Sequence, residues 1–96
     1  MVRRVAAKDF AAAVKHYSAG IDLRPASHVL WSNRAAAHCG LLSYAAALAD
    51  AVQCVQLAPS WGKGYVRKGA ALVGLRRPAD ALSVFTAGLK VRQCVS

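Results

Sequence analysis

The chain has 96 residues, of which 56% are hydrophobic, so it suits one small domain and excludes an enzyme with separate substrate and cofactor modules. Thirteen lysines and arginines face four acidic residues, which gives a formal net charge of +9, and no glutamate occurs. Such a basic surface favours anionic partners, namely acidic peptides, nucleic acid or anionic lipid. The composition predicts a compact, alanine-rich helical domain.

The hydrophobic pattern predicts five helices in chain order, near residues 10–23, 28–40, 44–57, 62–74 and 78–91, joined by short turns. Residues 1–7 fit the remnant of a further helix that precedes them. Charges interrupt every apolar run before it reaches the roughly 18 residues of a membrane span, so no membrane association is expected. Three cysteines without CxxC spacing fit reduced, buried thiols of a cytoplasmic protein better than a disulfide framework.

The sequence repeats itself with a period of 34 residues. Two prolines align in this register, and each is followed six residues later by an aromatic side chain: Pro25 by Trp31, and Pro59 by Tyr65. Alanines align on the predicted second helices at positions 13, 47 and 81. Small side chains let paired helices approach, and proline ends the second helix of a unit. A 34-residue period of this composition is typical of the tetratricopeptide repeat, a helix–turn–helix unit.

The register divides a single domain, residues 1–96, into a partial repeat over 1–27 and repeats over 28–61 and 62–95. We therefore predict an all-α tetratricopeptide solenoid of about two and a half repeats, with a truncated first helix and no capping helix. Repeats of a solenoid bury their faces only against neighbours. Uncapped ends therefore predict either self-association or a chain that is a fragment of a longer product.

Three polar side chains fall in register on the predicted first helices. Lys63 and Arg67 are four residues apart and share one helix face, and Asn33 lies 34 residues before Arg67. Stacked helices would bring all three to one concave groove, where two cations and an amide donor suit a carboxylate. Either cation alone is better explained as part of a solvated basic face. The trio in register favours a carboxylate site.

Two stretches resemble the heat-shock organising co-chaperones, and in particular their first tetratricopeptide block. They are residues 28–38, HVLWSNRAAAH, and residues 59–72, PSWGKGYVRKGAAL. The likeness runs from Phe10 to Lys90 and is more specific in these stretches than the general repeat pattern.

This resemblance implies a carboxylate-clamp domain that binds the acidic C-terminal EEVD tail of heat-shock protein 70, or of heat-shock protein 90. It implies that Asn33, Lys63 and Arg67 are clamp residues for the carboxylates of the terminal aspartate. Ala36, one turn beyond Asn33, would lie against an apolar side chain of the peptide.

The clamp of that family has five members, two of which come from its first helix. Here the asparagine position coincides with Val2, and the lysine position precedes Met1, so three of the five remain. We expect weakened or absent peptide binding by this chain alone, and normal binding when upstream residues complete the clamp.

Other chemistry lacks support in the sequence. No Ser/His/Asp set or pair of acids suits catalysis, and no histidine has a partner at metal-ligand spacing, so we predict no catalytic site, metal or cofactor. Nucleic-acid binding is the alternative function, through arginines outside the predicted groove: Arg3, Arg4, Arg76, Arg77 and Arg92. No cluster of stacking aromatics accompanies them, which favours the peptide. A fragment without independent binding is the third reading.

Overall fold

A computed structural model describes residues 9–95, and only the backbone of residues 92–95. Five α-helices follow one another: α1 (Phe10–Leu23), α2 (His28–Gly40), α3 (Tyr44–Leu57), α4 (Gly62–Gly74) and α5 (Pro78–Val95). The first four have the predicted bounds, and α5 continues four residues beyond its predicted end. The predicted helical remnant over residues 1–7 lies outside the described residues.

The five helices form one continuous stack. Each helix packs against the next one along the chain, and α2 also packs against α4. Contact between first helices of successive hairpins is the pattern of a solenoid. The all-α helical-repeat architecture is therefore confirmed, whereas the repeat boundaries at residues 27 and 61 stay a prediction from the register. Within residues 9–95, none of the helices combines the length and the hydrophobicity that a membrane span requires.

Small residues at the helix crossings bring the helices close together. Gly69 of α4 is buried, and a Cβ there would lie 2.2 Å from the ring of Phe85 on α5. Among the described side chains, six of the nine buried apolar residues are alanines: Ala35, Ala37, Ala47, Ala51, Ala71 and Ala81. The core is consequently thin, and its stability depends on close helix approach more than on large side chains.

Glycines end α2 and α4 because aromatic rings lie against them. A Cβ on Gly40 would lie 2.6 Å from the ring of Phe10, and one on Gly74 would lie 2.1 Å from the ring of Tyr44. The left-handed backbone of each turn falls two residues later, at Leu42 and Arg76. The same contact between an aromatic ring and a glycine therefore sets how α1 meets α2 and how α3 meets α4.

Candidate carboxylate-binding site

The three predicted clamp residues lie on two helices that pack against each other. Asn33 is on α2, whereas Lys63 and Arg67 occupy successive turns of α4. Lys63 is exposed, and Asn33 and Arg67 are half-buried. The fold thus places one amide and two cations on adjacent first helices, in the arrangement that the 34-residue register predicts.

The side chain of Arg67 lies among three helices. Burial raises the pKa of the thiols of Cys39 on α2 and Cys54 on α3, and the nearby charge of Arg67 partly offsets that rise. The Nε atom of Arg67 is buried and has no hydrogen-bond partner among the described residues. A buried cationic N–H without an acceptor costs free energy, and Arg67 forms no salt bridge with a described residue, so its charge is not compensated within this part of the chain.

The aspartates of the chain do not neutralise this site. Neither Lys63 nor Arg67 forms a salt bridge with any described residue. The four aspartates interact with other groups. Asp9 caps α1, and Asp80 forms a salt bridge with Arg77. Asp50 forms a salt bridge with Arg34, and the charge of Asp22 also raises the pKa of Arg34. Since the chain has no glutamate, neither cation has an acidic partner among the described residues, and both can pair with an external anion.

Ala36, which the resemblance assigns to the apolar part of the groove, is half-buried one turn beyond Asn33 on α2. Residues three apart share a helix face, so a small apolar surface adjoins the amide. The predicted clamp position that coincides with Val2 lies outside the described residues, so only the three predicted positions Asn33, Lys63 and Arg67 are described.

A polar network that the sequence did not predict lies next to Asn33. Arg34 donates from Nε and Nη2 to the two carboxylate oxygens of Asp50, each at 2.8 Å, and from Nη1 to the hydroxyl of Ser18 at 3.0 Å. The hydrogen bond with Asp50 raises the pKa of Arg34. Since Ser18 is on α1 and Asp50 is on α3, the network joins three helices and fixes the rotation of α2, which carries Asn33.

Two ring side chains complete this network. The Cζ atom of Arg34 lies 5.1 Å from the centre of the Trp31 ring, and Nε2 of His38 lies 3.5 Å from the Asp50 carboxylate. Arg34 and Asp50 are 16 residues apart on different helices. No spacing rule within a single helix connects them, so the sequence carried no signal for the pair.

Comparison with solved structures identifies the fold family. The chain is similar to the first TPR of Spaghetti (RPAP3) bound to the HSP90 peptide SRMEEVD, with 33% identity and a TM-score of 0.81 over 85% of this chain and 67% of that one. The chain belongs to the tetratricopeptide-repeat family. This repeat domain is also similar to the TPR2B domain in the TPR2B-domain:pHsp70 complex of yeast Sti1, with 32% identity and a TM-score of 0.84 over 86% of this chain and 66% of that one.

Curated relatives confirm the resemblance to the heat-shock organising proteins. The repeat domain is similar to the Hsp70-Hsp90 organizing protein of Triticum aestivum. The two are 49% identical over 80 residues, and those residues make up 83% of this chain. It is also 43% identical to the heat shock protein sti1 homolog of Schizosaccharomyces pombe over 83 residues, and those residues make up 86% of this chain. The match spans only 14% of each relative's length. No protein-family model matches the chain. The likeness to the first block in particular stays a prediction.

Of the five arginines of the alternative function, the structure describes the side chains of two, Arg76 and Arg77. Arg76 is exposed in the turn between α4 and α5, and Nε of Arg77 donates to Asp80 at 2.8 Å. Arg3, Arg4 and the side chain of Arg92 lie outside the described residues.

No group of three or more metal-ligating side chains occurs among the residues that the structure describes.

Proposed function

We propose that the repeat domain is a non-enzymatic adaptor, a co-chaperone module that binds the acidic, free C-terminal tail of a heat-shock chaperone. The observation that carries the proposal is the half-buried guanidinium of Arg67, which has no acidic partner among the described residues and lies one turn from Lys63, which has none there either. The structures it resembles support the same ligand, since one holds the HSP90 peptide SRMEEVD and another is a pHsp70 complex. The tail is therefore of the EEVD type, from heat-shock protein 70 or 90.

Binding follows from the charges. A net charge of +9 attracts an acidic tail before contact is made. Arg67 and Lys63 then donate charge-assisted hydrogen bonds to the terminal carboxylates, and the side-chain amide of Asn33 donates from α2. Each hydrogen bond to a charged partner contributes about 1.5–3 kcal/mol. Ala36 contacts an apolar side chain of the tail beside the amide.

We place this function in the cytoplasm as part of the same proposal. Cys39 and Cys54 are free thiols in the described residues, and burial raises the pKa of both. Free, unreactive thiols suit a reducing compartment, where chaperone tails of this type are available to an adaptor.

Alanine variants test the assignment. Arg67→Ala and Lys63→Ala should each weaken binding of an EEVD-terminated peptide about tenfold or more, and Asn33→Ala should weaken it less because the amide is neutral. Arg76→Ala is the matched control, since it removes one exposed cation from the α4–α5 turn and leaves the groove unchanged. Equal losses for Arg67→Ala and Arg76→Ala would show that net charge, rather than a site, determines binding.

A further inference from the structure

The helix that carries Asn33 buries small side chains. The buried residues of α2 are Ser32, Ala35 and Ala37, with exposed fractions of 4% or less. Small side chains form shallow ridges, and shallow ridges define the rotation of a helix against its neighbours less sharply than large, interlocking side chains do. Polar contacts therefore have a larger part in fixing the rotation of α2.

Arg34 supplies such contacts from the middle of α2. Its Nε and Nη2 atoms donate to Asp50 on α3, and its Nη1 atom donates to Ser18 on α1. A guanidinium is planar, so two parallel hydrogen bonds to one carboxylate fix the direction of the side chain as well as its distance. The Asp50 side chain is only 6% exposed, so water has little access to these hydrogen bonds. The network thus ties α2 to α1 and α3.

The network is not a general feature of the repeat. One period of 34 residues later, the counterparts of Ser18, Arg34 and Asp50 are Val52, Lys68 and Val84. Two valines offer no side-chain acceptor, yet α4 and α5 still pack closely, with Gly69 against the ring of Phe85. The repeat therefore forms without these polar residues, and the chain has them at the helix that carries Asn33.

A small rotation of α2 would displace the amide of Asn33. Side chains of a helix end about 5–6 Å from its axis, so a rotation of about 15° moves such an end by about 1.5 Å. A hydrogen bond spans about 2.7–3.2 Å between heavy atoms, and a shift of this size breaks it. Lys63 and Arg67 should keep their positions, because they belong to α4.

We propose that Arg34 and Asp50 are positioning residues of the carboxylate clamp. Their ion pair holds Asn33 at the distance from the two α4 cations that a terminal carboxylate requires. Asp50 is a buried anion, so it acts through α2 and does not itself bind a carboxylate. This role rests on the proposed binding of an acidic C-terminal tail.

Charge and positioning predict opposite effects of Asp50→Asn. The substitution raises the net charge from +9 to +10, because one aspartate is lost, and charge alone should then tighten binding of an acidic tail. Loss of the ion pair should instead weaken binding about threefold. The loss should not exceed that of Asn33→Ala, since the effect passes through this amide. Arg34→Lys keeps the net charge but lacks the planar fork, so it should weaken binding by a similar factor.

Asp80→Asn is the matched control. It makes the same change of charge at the exposed ion pair between Arg77 and Asp80, which adjoins the first turn of α5. Binding of the tail by this variant should be unchanged or slightly tighter.

A double-mutant cycle separates positioning from a general loosening of the groove. In a chain that carries Asn33→Ala, adding Asp50→Asn should cause no further loss of affinity, because the positioned group is absent. In a chain that carries Lys63→Ala, Asp50→Asn should still weaken binding about threefold. A general loosening would weaken binding by the same factor in both chains.

Calorimetry with a free-acid peptide ending in EEVD measures each affinity, in the chain extended by the upstream residues that complete the clamp. Circular dichroism verifies that each variant is folded under the conditions of the titration. If Asp50→Asn does not fold, Arg34→Lys and Ser18→Ala take its place in the cycle, with the same expected results.

Equal or tighter binding by Asp50→Asn would overturn the positioning role. The same loss in the Asn33→Ala and Lys63→Ala chains would also overturn it. An absence of binding by the extended wild-type chain would overturn the proposed function and this role with it, whereas wild-type binding that Asp50→Asn leaves unchanged would overturn the role alone.

Discussion

Trp31 donates a hydrogen bond from its indole Nε1 to the carbonyl oxygen of Pro25 at 2.8 Å. One repeat later, the hydroxyl of Tyr65 donates to the carbonyl oxygen of Pro59 at 2.7 Å. The proline ends one helix, and the aromatic residue in the first turn of the next helix binds the carbonyl that the turn leaves free. The spacing of proline and aromatic residue recurs because this hydrogen bond recurs.

Tyr65→Phe removes this hydrogen bond and keeps the ring. We expect the free energy of unfolding to fall by about 0.5–1.5 kcal/mol, toward the lower end because the bond is exposed. Urea denaturation measures the change. Tyr44→Phe is the control, since the ring of Tyr44 contacts Gly74 and is retained in phenylalanine. An equal loss in both variants would contradict the role of the Tyr65 hydroxyl.

Gly69→Ala should destabilise the last hairpin. The added Cβ would lie 2.2 Å from the ring of Phe85, and overpacking of this kind costs about 1–3 kcal/mol. Gly20→Ala is the comparison, because its Cβ would lie 3.1 Å from the flexible end of Leu30, and alanine favours a helix by about 0.5–1 kcal/mol over glycine. In thermal unfolding, Gly20→Ala should have a higher Tm than Gly69→Ala, and the reverse order would refute the packing argument.

The Arg34–Asp50 pair should contribute far more than the exposed Arg77–Asp80 pair. The Asp50 side chain is 6% exposed, whereas that of Asp80 is 54% exposed. Asp50→Asn leaves a partly buried guanidinium without its carboxylate, so we expect a loss of about 3 kcal/mol. Asp80→Asn should cost at most about 1 kcal/mol. Chemical denaturation measures the free energy of unfolding of both variants. Similar losses in the two would show that burial does not distinguish the pairs.

Stability should fall in alkaline solution through the buried thiols. Burial raises the pKa of Cys54 in the folded chain, so the unfolded chain, with an ordinary thiol pKa of about 8.5, ionises first. Above that pH the unfolded state binds fewer protons than the folded state, and the free energy of unfolding decreases as pH rises. Urea titrations at about pH 7.5 and 9.5 should show a smaller decrease for Cys54→Ala than for wild type. If the free energy of unfolding decreased by the same amount in Cys54→Ala and in wild type, groups other than Cys54 would cause the pH dependence.

The sequence predicts local and periodic features of this fold well. Helix bounds follow from turn residues and apolar spacing, and the 34-residue register places Asn33 and Arg67 on helices that do pack together. The sequence carries no signal for the Arg34–Asp50 pair, because the two residues are 16 apart and meet only when their helices stack. Gly40 is required by the ring of Phe10, which comes from another helix. Contacts of this kind depend on three-dimensional packing, which periodicity alone does not encode.

The central claim is that the groove recognises a free carboxylate, and calorimetry with one peptide in two forms tests it most directly. A peptide ending in EEVD is titrated into the chain as the free acid and as the C-terminal amide. The account predicts measurable binding of the acid and at least about tenfold weaker binding of the amide, since Arg67 and Lys63 lose a charged acceptor. Equal binding of both forms would contradict it, and so would the absence of binding by a helical chain to which upstream residues that complete the clamp have been added.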